Sequence, residues 1–175
     1  MNFKSMLLSS VVSVAVLAGE RNPAPAPARL LTAPVVSRAG IPEPKLACPA
    51  GTNQGGGQAS LQEASFCERV GANGLSVIHG PFLVLHPNGK TAVEGQYVDG
   101  KRTGLFRTFD ATGAKVEEVT FTNDLYNGPR AQWVNGRKAI EETYLAGKRQ
   151  GDQRTWDAAG NLTVVRYVDD RPVAK

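Results

Sequence analysis

The chain is poor in the side chains that most enzymes use for catalysis. Its 175 residues include two histidines, His79 and His86, and two cysteines, Cys48 and Cys67. A zinc site needs three or four converging ligands, and nothing else at a useful spacing joins the histidines. The sequence also lacks Gly-x-Ser-x-Gly, the phosphate-binding Gly-x-x-x-x-Gly-Lys, and a Cys–His pair with an orienting partner. We therefore predict no catalytic residue, no metal site and no cofactor, and no small-molecule substrate is evident.

A charge excess is also missing from most of the chain. The formal net charge of +4 arises mainly in residues 1–47, which hold 5 basic and 2 acidic residues. Residues 48–175 hold 15 basic and 14 acidic residues, with the signs interspersed. Because nucleic-acid binding leaves a basic footprint, this balance argues against nucleic acid as a partner.

Helical periodicity and long apolar runs are absent as well. The apolar run from Met6 to Leu17 is too short for a comfortable membrane span. It follows Lys4 and precedes Val16-Leu-Ala18, so we predict a signal peptide over residues 1–19 that is cleaved near Ala18. An uncleaved N-terminal anchor is the alternative. Either way we expect an exported chain in the periplasm, in the cell envelope or secreted.

Residues 20–47 are predicted to form a disordered Pro/Ala-rich linker. They contain six of the chain's 11 prolines, namely Pro23, Pro25, Pro27, Pro34, Pro42 and Pro44. Alternating alanine and proline favour an extended conformation that cannot join a sheet.

The only two cysteines flank the glycine run 55–57. In an exported chain with no other thiols, Cys48 and Cys67 are expected to form a disulfide. Closing this loop would contribute about 3 kcal/mol. A metal pair or a reactive thiol are the alternatives, but the first needs more ligands and the second needs a nearby base. We predict that residues 48–79 form a disulfide-stapled N-terminal cap.

What the chain does have is a glycine-marked repeat. The leading glycines Gly80, Gly104, Gly128 and Gly151 are 24, 24 and 23 residues apart. The inner glycines Gly89, Gly113, Gly136 and Gly160 are 24, 23 and 24 residues apart. This spacing divides the chain into four units, at residues 80–103, 104–127, 128–150 and 151–175.

Each unit is predicted to be a β-hairpin whose first arm starts at the leading glycine. Asn or Asp with Gly supplies the positive φ of tight turns, as in Asn135-Gly136 and Asp99-Gly100. Apolar residues alternate with polar ones in the arms, as in Val93-Glu-Gly-Gln-Tyr97. The expected fold is all-β, with four tandem hairpins forming one twisted antiparallel sheet, because single hairpins cannot bury a core.

Seven aromatic residues recur at fixed places in the units. Three follow the leading glycine by five positions and four end the second arm: Phe109, Trp133 and Trp156, and Tyr97, Phe121, Tyr144 and Tyr167. They could pack as a core, since they are the largest apolar groups available, or form a partner-binding stripe.

A column of glutamates offers the one enzymatic alternative. Glu94, Glu118 and Glu141 each stand three residues before the arm-ending aromatic. A hydrolase acting on envelope polymer could use two such carboxylates. A solvent-facing polar position that pairs with Lys115, Arg137 or Lys138 explains a repeated residue more simply.

The units resemble the MORN-repeat variant family, the group often labelled YwqK-type antitoxins of toxin–antitoxin systems. The resemblance rests on residues such as Gly104, Phe106, Phe109, Gly113 and Glu118, and it covers residues 80–171. Units three and four depart from the pattern at the first aromatic position, where Arg130 and Gln153 stand. The resemblance implies a β-sheet ribbon that is used for contacts.

These observations lead us to expect a non-enzymatic interaction or scaffold module with an unidentified protein partner. An envelope or membrane surface is the second candidate partner. An antitoxin-like protein that neutralises a toxin is the alternative suggested by the resemblance. The predicted signal peptide argues against it if the toxin is cytoplasmic.

Overall fold

The computed structural model describes residues 43–56 and 64–173, and the regular structure in these ranges is entirely β-strand. Twelve strands form one open antiparallel sheet in chain order, except that the short β9 and the following β10 both pair with β8. The prediction of an all-β antiparallel sheet is confirmed. The strands are Asn53–Gly56 (β1), Ala64–Val70 (β2), Ser76–Leu85 (β3), Thr91–Val98 (β4), Lys101–Phe109 (β5), Lys115–Thr122 (β6), Leu125–Val134 (β7), Arg137–Leu145 (β8), Lys148–Arg149 (β9), Gly151–Trp156 (β10), Leu162–Val168 (β11) and Arg171–Val173 (β12).

The four hairpins share one register. In each, the leading glycine is the Cα partner of the aromatic residue near the end of the second arm. These pairs are Gly80 and Tyr97, Gly104 and Phe121, Gly128 and Tyr144, and Gly151 and Tyr167. The sequence period therefore corresponds to one structural period of two strands.

The turns adopt the backbone angles that their residues favour. The two-residue connections between units have positive φ at both positions, as at Asp99 (52°) and Gly100 (79°), or at Asn123 (49°) and Asp124 (69°). That is the type I′ geometry, whose twist matches paired strands. The inner glycines also have positive φ, between 74° at Gly136 and 91° at Gly113.

Three of the four leading glycines lie inside strands rather than at their starts, and the fourth, Gly151, is the first residue of β10. β5 begins at Lys101, and Gly104 has a φ of 75° in its interior. Between the pairs Gln96–Thr103 and Glu94–Arg107, the single Gly95 of β4 faces residues 104–106 of β5. This bulge requires a residue that accepts positive φ, and the first arms extend further than predicted because the chain passes through the bulge without leaving the sheet.

The predicted disulfide between Cys48 and Cys67 is confirmed, and the side chain of Cys67 is fully buried. It holds the N-terminal segment against the sheet, where a Cβ added to Gly80 would lie 2.7 Å from Cδ of Pro49. Strands of the sheet also begin within residues 48–79, before the first glycine-marked unit. β1, β2 and the start of β3 continue the same sheet. The pair Glu68 and Ile78 occupies the place that the pair Tyr97 and Arg102 occupies one unit later.

Adjacent units are joined by a recurring backbone hydrogen bond. The second residue of each connecting turn donates its N–H to a carbonyl one unit earlier in the sheet. These bonds run from Gly100 to Ile78 (2.8 Å), Asp124 to Arg102 (3.1 Å), Gly147 to Tyr126 (2.8 Å) and Asp170 to Arg149 (3.2 Å). Each unit is thus fixed to its neighbour at the turn as well as along the strand.

The last strand, β12, carries Arg171 and Pro172, both exposed. Charge and proline on an edge strand discourage pairing with another chain. The predicted signal peptide and most of the predicted linker lie outside the described residues, and residues 43–47 form no strand.

Candidate interaction surfaces of the sheet

One face of the sheet carries a continuous row of rings, which we call the aromatic face. Neighbouring ring centroids are 5.0–5.6 Å apart, mostly in edge-to-face arrangements. Phe106 and Phe121 are only 6% and 4% exposed and form the core with Val119. The rings of the row are, in order, Phe82, Tyr97, Phe106, Phe121, Tyr126 and Tyr144.

Gly95 makes room for the centre of this row. A Cβ at this position would lie 2.5 Å from Cδ1 of Phe106, closer than side-chain atoms approach one another. The missing side chain lets the Phe106 ring lie directly over the β4 backbone. The core therefore depends on a glycine outside the eight marker positions.

Arginines cover two of the rings. The guanidinium of Arg102 lies 4.1 Å from the Phe121 centroid, and that of Arg149 lies 4.0 Å from the Tyr167 centroid. Arg102 also donates to Oδ1 of Asp124 from its backbone N and its Nε, both at 3.0 Å. Burial alone would raise the pKa of Asp124, but these hydrogen bonds from Arg102 lower it below its usual range. Each arginine thus shields a ring and neutralises a turn carboxylate.

A charged cluster occupies the aromatic face in unit three. Glu142, 4% exposed, accepts hydrogen bonds from Nη1 of Arg130 and from Oη of Tyr144, the latter at 3.0 Å. Arg130 also donates from Nε to Glu117 at 2.8 Å, and Gln132 donates to the same carboxylate oxygen at 3.1 Å. Burial opposes the charge on Arg130, but its bonds to Glu142 and Glu117 raise its pKa above the ordinary value.

Three tyrosines of the aromatic face are harder to ionise than a free tyrosine. Burial raises the pKa of Tyr97, Tyr126 and Tyr144 above the ordinary value. For Tyr144 the adjacent Glu142 carboxylate raises it further. The cluster of Arg130, Glu142 and Glu117 was not predicted, although the departure from the aromatic pattern at Arg130 marked its place.

On the opposite face, the glutamate column is engaged in ion pairs. Arg107 bridges two of its members, with Nη1 3.0 Å from Glu94 and Nε 3.2 Å from Glu118. The Lys115 ammonium, 2.8 Å away, and then Arg107 lower the pKa of Glu118. Lys138 lies 3.5 Å from Glu141. The expected partners Lys115 and Lys138 are thus present, on the same strands as their glutamates rather than across from them.

The seven predicted aromatics do not form one ladder. Tyr97, Phe121 and Tyr144 belong to the aromatic face, and Tyr167 lies under Arg149. Trp133 instead lies beneath two ammonium groups, with its ring centroid 4.2 Å from Nζ of Lys115 and 5.9 Å from Nζ of Lys138. Phe109 and Lys115 are Cα partners, which places Phe109 on the Trp133 side. Trp156, opposite Leu162, is half-buried.

The two histidines serve local structure. Nδ1 of His79 is 2.9 Å from Oδ1 of Asp99, which also accepts from Arg69 at 2.6 Å. The hydrogen bonds from Arg69 and His79 lower the pKa of Asp99. Nε2 of His86 is 2.8 Å from the carbonyl oxygen of Phe109 and so links the turns of units one and two. Within the described ranges no group of three or more histidine, cysteine or acidic residues is arranged to hold a metal ion.

The disulfide is consistent with an oxidising, extracytoplasmic environment. In the part of the chain that the structure describes, no helix is long and apolar enough to cross a membrane. No family model matches this chain, and no curated protein matches it.

Proposed function

We propose that this chain is an exported, non-enzymatic module that binds a protein partner in the cell envelope. The observation that carries the proposal is the open sheet itself. Twelve strands lie in one sheet whose first and last strands do not pair with each other, so the sheet does not close on itself and neither of its faces is enclosed by it. Extended surfaces of this kind are what repeat proteins use for binding.

Export is supported by two independent features. The sequence carries the predicted signal peptide at residues 1–19, and the chain holds its two cysteines as a disulfide. Structural disulfides persist in oxidising compartments and are rare in the cytosol. Both features favour an envelope or secreted location.

The state of the glutamate column favours binding over hydrolysis. Glycoside hydrolysis needs an acid and a second carboxylate in different environments, so that one is protonated while the other is charged. Glu94 and Glu118 share the same guanidinium, and Glu141 has its own lysine. Three carboxylates that are each paired with a cation suit a solvated sheet face better than an acid–base pair.

The experiment is capture by the intact, disulfide-bonded protein from an envelope extract of the producing cells. We expect one protein to be retained in near-stoichiometric amount. The control is a Phe106→Ala variant, which should lose the core of the aromatic face and retain far less of that protein. Retention of nothing above the control would contradict the proposal.

A second arm tests the hydrolase alternative directly. Wild-type protein and a Glu118→Gln variant are incubated with purified envelope polymer, and soluble fragments are quantified by mass spectrometry. We expect no fragments from either. Fragments released by the wild type and not by the variant would replace the proposed function with hydrolysis.

A further inference from the structure

One row of residues crosses the face that carries the glutamate column, with one residue from each of six neighbouring strands. Each member is the Cα partner of the next, so all six side chains lie on the same face. We call this the charged row: Glu94, Arg107, Glu118, Ala131, Glu141 and Arg154. Acidic and basic side chains alternate along it, except that the place between Glu118 and Glu141 holds only the methyl group of Ala131.

The repeat shows what this place holds in a neighbouring unit. The residue three positions after the leading glycine is Arg107 in unit two and Ala131 in unit three. The Arg107 guanidinium lies between two glutamates, with Nη1 3.0 Å from Glu94 and Nε 3.2 Å from Glu118. Two glutamates on either side of one strand, with Cα atoms about 9.6 Å apart, can therefore hold a single guanidinium. Glu118 and Glu141 stand on either side of Ala131 in the same way.

The carboxylates beside Ala131 have oxygen atoms to spare. Arg107 and Lys115 both donate to Oε2 of Glu118, so among the described residues Oε1 of Glu118 accepts no hydrogen bond. Lys138 lies 3.5 Å from Oε1 of Glu141, and within the described ranges no hydrogen bond or ion pair reaches Oε2. The two glutamate side chains are 31% and 41% exposed, so both are open to an incoming group. A guanidinium has five N–H donors in a planar fork and can use both free oxygens.

The next arginine along the charged row does not fill the gap. Arg154 is the Cα partner of Glu141, but the carboxylate with which it pairs is that of Asp152, at 3.9 Å. Arg107, on the other side, is engaged by Glu94 and Glu118. In the part of the chain that the structure describes, no guanidinium therefore lies between the two glutamates that flank Ala131.

Trp133 and two lysines stand at one end of the gap. Nζ of Lys115 is 2.8 Å from Glu118 and 4.2 Å from the Trp133 ring centroid, and Nζ of Lys138 is 5.9 Å from the same centroid. The two ammonium groups share the carboxylates that an incoming cation would use. Because exposed ion pairs are weak, a single arginine is expected to bind only in the millimolar range.

We propose that the gap over Ala131 receives an arginine side chain of the partner protein, whose guanidinium binds Glu118 and Glu141. The contact copies the one that Arg107 makes in unit two. This rests on the proposed function, and it names one contact of the binding surface and its chemistry. Arginine suits the gap better than lysine, because its rigid fork can bond two carboxylates at once. Surrounding contacts in an interface exclude water and so strengthen such an anchor.

Titration of the full disulfide-bonded protein, followed by nuclear magnetic resonance, tests the site directly. The probe is N-acetyl-arginine amide. N-acetyl-lysine amide has the same charge without the planar fork, and N-acetyl-citrulline amide has a similar shape without the charge. We expect the arginine probe to cause saturable shifts of the backbone amides of Glu118, Ala131 and Glu141, with a Kd of about 10 mM. Both control probes should bind at least about fivefold more weakly.

Two variants locate the binding by loss. Glu141→Gln should weaken it at least about fivefold, since one of the two carboxylates is removed. Glu94→Gln is the matched control, because Glu94 belongs to the same glutamate column but lies beyond Arg107. That control should bind the arginine probe like the wild type.

Two further variants should improve binding. Lys138→Gln removes a cation that competes for Glu141, so the Kd of the arginine probe should fall at least about twofold. Arg107→Ala should open a second gap between Glu94 and Glu118. The arginine probe should then cause a second set of saturable shifts around position 107.

Ala131→Arg connects the gap to the envelope partner. The introduced guanidinium should occupy the gap, abolish binding of the arginine probe and reduce capture of the envelope protein at least about tenfold. Its urea midpoint should be no lower than that of the wild type. If this variant captures the envelope protein as well as the wild type does, the proposed function stands and this contact does not.

Three results of the titration would overturn the inference. They are the absence of saturable shifts with the arginine probe, equally tight binding of the lysine probe, and equal losses in Glu94→Gln and Glu141→Gln. An unchanged affinity in Lys138→Gln, or no second set of shifts in Arg107→Ala, would likewise contradict the assignment of the guanidinium to the gap.

Discussion

The first two hairpins and the last two have the same strand register but different side chains on the aromatic face. Two residues after the leading glycine, the first pair has Phe82 and Phe106, whereas the second pair has Arg130 and Gln153. Phe106 lies opposite Val119, and Arg130 lies opposite Glu142 at the equivalent place. One backbone position thus holds an apolar pair in unit two and an ion pair in unit three.

The comparison separates what specifies the fold from what stabilises it. The features common to all four units are the bulge glycines, the positive-φ turns and the hydrogen bonds between adjacent units. The pair of residues at this position of the aromatic face can be apolar or charged. An arginine and a glutamate can form an ion pair with each other where two apolar groups would otherwise pack. Burying that pair costs desolvation, which its hydrogen bonds only offset. We infer that most of the hydrophobic stabilisation lies in units one and two.

The largest effect should come from removing the central ring. Phe106→Ala is expected to destabilise the protein by about 3–5 kcal/mol, because it leaves a cavity among Val119, Phe121 and Tyr97. Gln153→Ala, at the same position in unit four, should change stability by less than about 0.5 kcal/mol. Urea unfolding followed by circular dichroism measures both. Equal losses of stability in the two variants would contradict the inference that most of the hydrophobic stabilisation lies in units one and two.

The ion pair can be exchanged for the apolar pair of unit two. Arg130→Met alone should cost about 3 kcal/mol, since it leaves the buried Glu142 carboxylate without its arginine. The double variant Arg130→Phe, Glu142→Val copies the unit-two pair and should recover that loss or exceed the wild-type stability. Urea midpoints of the two variants and the wild type decide this. A double variant less stable than the single one would mean that the register in unit three requires the charges.

The glycine beneath Phe106 provides a smaller perturbation of the same core. Gly95→Ala should cost about 1–3 kcal/mol, because the new methyl group would lie 2.5 Å from the ring. In a Phe106→Ala background the same substitution should cost less, since its clash has been removed. A double-mutant cycle by urea titration gives the coupling. If the losses of stability from Gly95→Ala and Phe106→Ala are simply additive, contact with the Phe106 ring is not the reason that position 95 holds glycine.

The weakest expected effect is a loss of stability in alkaline solution. Tyr97, Tyr126 and Tyr144 have raised folded-state pKa values, chiefly through burial. Their contribution is complete below the unfolded pKa of about 10 and is lost as the pH rises towards the folded values. The urea midpoint should therefore fall above about pH 10. Tyr144→Phe should make that fall shallower, and an unchanged slope would contradict the assignment to the tyrosines.

Sequence reasoning predicted the features that depend on residue type and spacing along the chain. It missed the features that depend on which side chains share a face of the sheet. The hairpin turns and the Cys48–Cys67 disulfide follow from residue type and spacing. An Asn-Gly turn depends on adjacent residues, and the chain has only these two cysteines to pair. The separation of Trp133 from Tyr144 could not be predicted, because bulges change which residues share a face. β1 and β2 were missed because their sequences lack the glycine marker of the repeat. The bonding of Glu142 to Arg130 and Tyr144 also depends on register across strands.

The most direct test of the central claim, that this sheet functions by contacting a partner protein, is site-specific photocrosslinking in the producing cells. A photoreactive residue is placed at one of three exposed positions beside the turns, Leu125, Leu145 or Val134. We expect a single protein adduct of constant size from at least one of these positions. No adduct from any position, together with cleavage of envelope polymer by the purified chain, would contradict the account.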